Sequence, residues 1–157
     1  MDIIDYNKEK INHIAINEIE IGDQRNYGLV ISENLHLEFG KFSGDQSPIH
    51  TDINFCKKNG YNNKLGYAFL LTTVLSQIYG MLFPGGSELC LQQTCKFIRP
   101  FYVGELLKYK LKILQKNTST KIVTIKSEIK NPSDNIIFEG ESILLLSLKK
   151  WKFLKKV

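Results

Sequence analysis

Residues 65–87 read LGYAFLLTTVLSQIYGMLFPGGS, a run of 23 residues without a formal charge. A stretch of that kind either crosses a bilayer or is buried within a protein. Thr72, Thr73, Ser76, Gln77 and two tyrosines make it polar for a lipid interior, and Pro84, Gly85 and Gly86 end it abruptly. The spacing predicts a helix of about 18 residues, roughly 27 Å long, buried all round. No membrane span is expected.

Beyond this run the hydrophobic period changes from helical to alternating. In LKYKLKI, Leu107, Tyr109, Leu111 and Ile113 alternate with Lys108, Lys110 and Lys112, as in a strand with one wet face. Residues 121–130 repeat the pattern, with Val123, Ile125 and Ile129 set against Lys126, Glu128 and Lys130. Two further strands are expected at 88–98 and 136–149. The segments KNTST and NPSDN supply turns, and such short connections make neighbouring strands antiparallel. A sheet wet on one face needs an apolar cover on the other, and the uncharged helix is the element long enough to provide it. The fold class is α+β, an antiparallel sheet wrapped around one long central helix.

With 157 residues, 43% hydrophobic and 24% charged, and no linker or repeat, the chain reads as a single domain over 1–157, with a core at about 18–148. The net charge is +5, and the final segment KKWKFLKKV (149–157) alone holds five lysines and no acid. The body is therefore near neutral, and a nucleic-acid partner is not expected. Cys56, Cys90 and Cys95 form neither a CxxC pair nor a zinc-ligand spacing, so they are expected as reduced, mostly buried thiols. Their use and the charged start MDIIDYNKEKINH predict a cytoplasmic protein, with no metal and no cofactor.

Before the helix lies FSGDQSPIHTD, residues 42–52. Gly44 permits a tight turn and Pro48 keeps Ser47 extended, which predicts a shaped loop rather than helix or sheet. Thr51 or Asp52 can cap a short helix through INFCKK. Asp45 and His50 can reach one point in such a loop. A carboxylate with an ordinary pKa near about 3.9 and an imidazole near about 6.5 suit proton transfer around neutrality. Judged on these residues alone, the pair is either an acid–base couple or a capping acid beside a satisfied imidazole.

The stretch from Phe39 to Asp52, F-x-x-F-S-G-D-x-S-P-I-H-x-D, resembles the signature of the MaoC-like (R)-specific enoyl-CoA hydratases and dehydratases. EIEIGD at 18–23, Phe83–Gly86 after the helix, and KFIRPFYVGELL at 96–107 are similar to further segments of that family, in the same order. The resemblance implies a hot-dog fold, a homodimer, and an acyl-CoA or acyl-carrier-protein thioester as substrate. It implies that Asp45 and His50 are the catalytic pair, that the Ala68 N–H at the start of the helix binds the thioester oxygen, and that Ser76 lies beside the aspartate. The chain departs from the family pattern in three places. Tyr67 and Ala68 stand where the family has histidine and glycine, Ser47 replaces a bracing asparagine, and Glu105 replaces an aspartate. Tyr67 is expected to narrow the acyl pocket. Two other functions share the scaffold: thioester hydrolysis, and acyl-thioester binding without turnover.

Overall fold

The computed structural model describes residues 1–4, 11–86 and 88–146. The lysine-rich end and the last residues of the strand expected at 136–149 lie outside them. Along the chain run β1 (Asp2–Ile3), β2 (Gln24–Val30), α1 (Glu33–Ser43), α2 (Pro48–Thr51), α3 (Ile53–Lys58) and α4 (Ala68–Gln77). There follow β3 (Glu88–Gln93), β4 (Lys96–Phe97), β5 (Leu106–Asn117), β6 (Ile122–Lys130) and β7 (Ile136–Leu146). The strands form one sheet in the order β1-β2-β5-β6-β7-β3, with β4 also paired to β7. Among the described residues only the β1–β2 pairing is parallel; the others are antiparallel.

The alternation in β5 and β6 has the meaning the sequence assigns to it. Leu107, Tyr109, Leu111 and Ile113 in β5, and Val123, Ile125 and Ile129 in β6, point inward and are fully buried or nearly so. They join one apolar cluster with Leu70, Leu71, Val74, Leu75 and Ile78 of the central helical run. Complete burial of each such aliphatic side chain stabilises the fold by about 1.5–3 kcal/mol. The sheet and the helix therefore hold one another.

The central helix differs from expectation in two ways. It begins at Ala68, and after Gln77 it widens into a π-helical turn over Ile78–Leu82, so it is shorter than 18 residues. Leu65 and Gly66 are extended instead: Leu65 bridges to Tyr102, and the Gly66 amide donates to the Phe101 carbonyl. Nor is the helix buried all round. Phe69 is 66% exposed, and Thr73 and Ser76 on the same face are also exposed. The lack of charge on that face therefore does not come from burial in this chain. A related correction concerns the thiols. All three cysteines are free, but only Cys56 is buried; Cys90 lies on β3 and Cys95 just after it, at the uncovered end of the sheet.

One polar cluster fixes the helix against the sheet. The Tyr79 hydroxyl is 2.7 Å from Ser127 Oγ and 2.6 Å from Ser142 Oγ, and Ser142 donates to Gln93 Oε1 at 2.5 Å. Because the Ser142 proton goes to Gln93, Tyr79 donates to Ser142 and accepts from Ser127. Burial pushes the Tyr79 hydroxyl up to about 12, so it remains a donor at any ordinary pH.

The entry to α4 is closely packed. A Cβ built on Gly66 would lie 2.0 Å from the Phe101 ring, itself buried in the core. Gly66→Ala is expected to destabilise the fold by about 1–3 kcal/mol through forced repacking of Phe101. Urea unfolding measures this, and an unchanged midpoint would show that the entry is slack.

Candidate active site

The segment bearing Asp45 and His50 is set by local rules. Ser32 caps α1 by accepting from the Leu35 amide at 3.2 Å, and Gly44, with φ of 75°, ends it in the left-handed region that favours glycine. Pro48 then occupies the first turn of α2, so residues 48–51 form one helical turn where a shaped loop without helix is expected. Proline at that position is pre-shaped for a helix start, which is why it nucleates a turn here. Asp52, and not Thr51, caps α3: its Oδ1 accepts from the Asn54 and Phe55 amides at 2.7 and 3.1 Å.

These turns bring the acid and the base together. His50 Nε2 lies 3.8 Å from Asp45 Oδ2. His50 Nδ1 is 2.8 Å from the Leu65 carbonyl oxygen, which can only accept, so Nδ1 carries a proton and, in the neutral ring, Nε2 presents its lone pair to the carboxylate. Two acceptors facing each other at this separation do not bond directly; they suit a shared donor such as a water. Asp45 Oδ1 accepts from the Ser47 amide at 3.0 Å, and that bond holds the carboxyl below its ordinary pKa. The Asp45 side chain is 47% exposed, so the pair is open to solvent on one side.

The segment is tied to the start of the central helix in both directions. The Leu65 amide donates to the Ile49 carbonyl, while the Leu65 carbonyl accepts from His50. Tyr67 caps α4 and is only 3% exposed. Its ring lies 4.1 Å from the His50 ring and its hydroxyl donates to the Asp45 carbonyl at 2.8 Å. Tyr67 is thus packed beneath the pair, whereas the sequence places it at an acyl pocket. The Ala68 amide is the first of the helix and has no acceptor within it, so a donor stands at the helix N-terminus next to His50.

Ser47 and Ser76 fall differently. Ser47 precedes α2 and contributes its amide, not a side-chain cap. Ser76 lies two helical turns beyond Ala68 and makes no hydrogen bond to Asp45 among the described residues. It lines a separate cavity of about 310 Å³ with Phe69, Thr72, Tyr79, Glu88 and Gln93. No group of three or more His, Cys, Asp or Glu suited to a metal occurs among the described residues. No described helix is long and apolar enough to cross a membrane.

The residue that sequence reading misses is His36. It is 1% exposed, stacks on Tyr67 with ring centroids 4.6 Å apart, and donates from Nε2 to the His50 carbonyl at 2.8 Å. A signal for it exists: a serine N-cap followed by Leu35, His36, Phe39 and Gly40 at helical spacing.

No protein-family model matches the chain. It is 26% identical over 131 residues to the mitochondrial 3-hydroxyacyl-acyl-carrier-protein dehydratase of Arabidopsis thaliana, covering 82% of this chain and 78% of that protein. It is 23% identical over 108 residues to the (R)-specific enoyl-CoA hydratase of Aeromonas caviae, covering 69% and 81%. The unliganded R-hydratase of Pseudomonas aeruginosa superposes with a TM-score of 0.83 at 24% identity, over 88% of this chain and 89% of that one. The fold is the hot-dog fold, and the likeness to MaoC-like hydratases and dehydratases is borne out.

Burial holds the His36 imidazole below its ordinary pKa, with Lys64 and His50 acting in the same direction and the His50 carbonyl and Glu33 opposing. The folded protein thus favours the neutral ring, and the unfolded chain takes up the proton first. The stability this confers is complete above about pH 6.5 and is lost as the pH falls below it. His36→Gln is expected to flatten the decline in thermal midpoint between pH 7 and pH 5. An unaltered slope would remove His36 from the acid sensitivity.

Proposed function

We propose that the protein adds water to trans-2-enoyl thioesters with (R) stereochemistry, and catalyses the reverse dehydration of 3-hydroxyacyl thioesters. The observation that carries this is the 3.8 Å approach of His50 Nε2 to Asp45 Oδ2, close enough for one water beside them to hydrogen-bond to both. A water between them donates both protons and turns a lone pair outward. Its oxygen bonds to the β-carbon as one member of the pair takes its proton, and the pair delivers one proton to the α-carbon, so the sum is addition of H2O. Negative charge passes to the thioester oxygen during the step. The Ala68 N–H is the donor for that oxygen, a role worth about 3 kcal/mol for a preorganised group.

The substrate is an acyl thioester carried on CoA or on an acyl-carrier protein, and both carriers occur in the names of the relatives. Ser76, Thr72 and Phe69 line the route of the acyl chain along the helix. The protein acts as a homodimer. Phe69 on the bare helix face, with Leu89 and Leu91 on the uncovered edge strand β3, provides the apolar surface that a second copy covers.

Two measurements test this. Loss of the conjugated enoyl absorbance is followed with short trans-2-enoyl thioesters of both carriers. Asp45→Asn and His50→Gln are each expected to lower turnover by at least about 10²-fold with circular dichroism unchanged. Full activity in either variant removes that residue from the mechanism; release of free thiol identifies hydrolysis, and saturable binding without turnover a binding module. Light scattering after gel filtration is expected to give twice the chain mass, and Phe69→Glu to reduce it to one chain.

A further inference from the structure

His36 and Tyr67 have no part in the proton transfers proposed above, yet both are buried against the pair. His36 gives its Nε2 proton to the His50 backbone, Tyr67 gives its hydroxyl proton to the Asp45 backbone, and the Tyr67 ring packs against both imidazoles. We propose that His36 and Tyr67 are positioning residues, a buried bracket that sets the separation of Asp45 and His50 by holding the backbone carbonyl of each. The proposal rests on the hydratase reading for its kinetic consequence but not for its structural one.

Three features support a role beyond packing. With Nε2 committed as donor, His36 Nδ1 is a buried acceptor without a partner among the described residues. Such an atom is unfavourable in the buried state, so packing alone does not account for a histidine at that site. Secondly, the hydroxyl of Tyr67 occupies a space made for it: a Cβ on Gly40 would lie 2.5 Å from Tyr67 Oη. Thirdly, the two donors come from separate elements, α1 and the entry to α4, and converge on the short segment between them. Residues 45–50 are therefore held by hydrogen bonds to their backbone, which leaves Asp45 Oδ2 and His50 Nε2 free of the positioning contacts.

The geometry also explains why Tyr67 does not behave as a pocket residue. Its ring touches His36, Phe39 and His50, and its tip is spent on Asp45. Changing it alters the placement of the base and the acid, and not the volume available to an acyl chain. A displacement of the pair by a fraction of an ångström lowers the rate of the chemical step with little effect on substrate binding.

The test uses Tyr67→Phe, His36→Leu and His36→Gln, where glutamine returns an N–H near the place of Nε2. Turnover of an enoyl thioester is measured alongside the long-range 15N–1H spectrum of His50, which reports its tautomer without any substrate. Tyr67→Phe and His36→Leu are each expected to lower kcat about tenfold at nearly constant KM and to mix the His50 tautomers; His36→Gln is expected to recover most of both. The proposal is overturned if Tyr67→Phe and His36→Leu, both folded by circular dichroism, keep the wild-type tautomer spectrum, or if His36→Gln is as impaired as His36→Leu. If the wild-type protein turns over no thioester while the spectra change as expected, the bracket stands and the hydratase reading falls.

Discussion

The inner face of β5, β6 and β7 must be kept from water, and the rest of the molecule is arranged around that requirement. An antiparallel sheet with lysines on one side and Leu, Ile and Val on the other is unstable until something apolar covers it. The central helix is that cover, and its position determines where its N-terminus lies. Because the chain enters the helix through Leu65 and Gly66, packed against Phe101 and Tyr102, the segment just before it is drawn into contact with α2. The candidate site exists at the place where the cover begins.

Within that site, the backbone does much of the positioning. The Leu65 carbonyl orients the His50 ring, and the Ser47 amide holds the Asp45 carboxylate ionised. A hydrogen bond to a main-chain group survives many substitutions of the residue that supplies it. This is consistent with the sequence departure at Ser47, where the group in use is an amide and the side chain is secondary.

The parts of the fold that were legible in the sequence are those in which one face is fully buried. Strands β5 and β6 alternate cleanly because one face of each is buried and the other wet. Strand β2 escaped notice because Gln24, Arg25 and Asn26 are exposed and only Tyr27, Gly28 and Leu29 are buried, too short a run to show a period. Helix α1 is half polar and was overshadowed by the motif that follows it. Asp45 and His50 were legible because Gly44 and Pro48 shape the short segment that carries them. His36 and the orientation of Tyr67 were not, since the contacts that define them join residues 14 to 31 positions apart across two helix ends.

The cluster of Tyr79, Ser127, Ser142 and Gln93 has a consequence for how such a sequence can drift. Apolar neighbours in the core exchange for one another one at a time with modest loss, because a methyl group has no direction. These four side chains pass protons in a fixed order, so altering any one strands a polar atom on another element at about 1–3 kcal/mol. Neutral change there requires two or more positions to move together. The cluster is thus an evolutionary ratchet, and a related chain that has lost Tyr79 should also have lost the hydroxyls on β6 and β7.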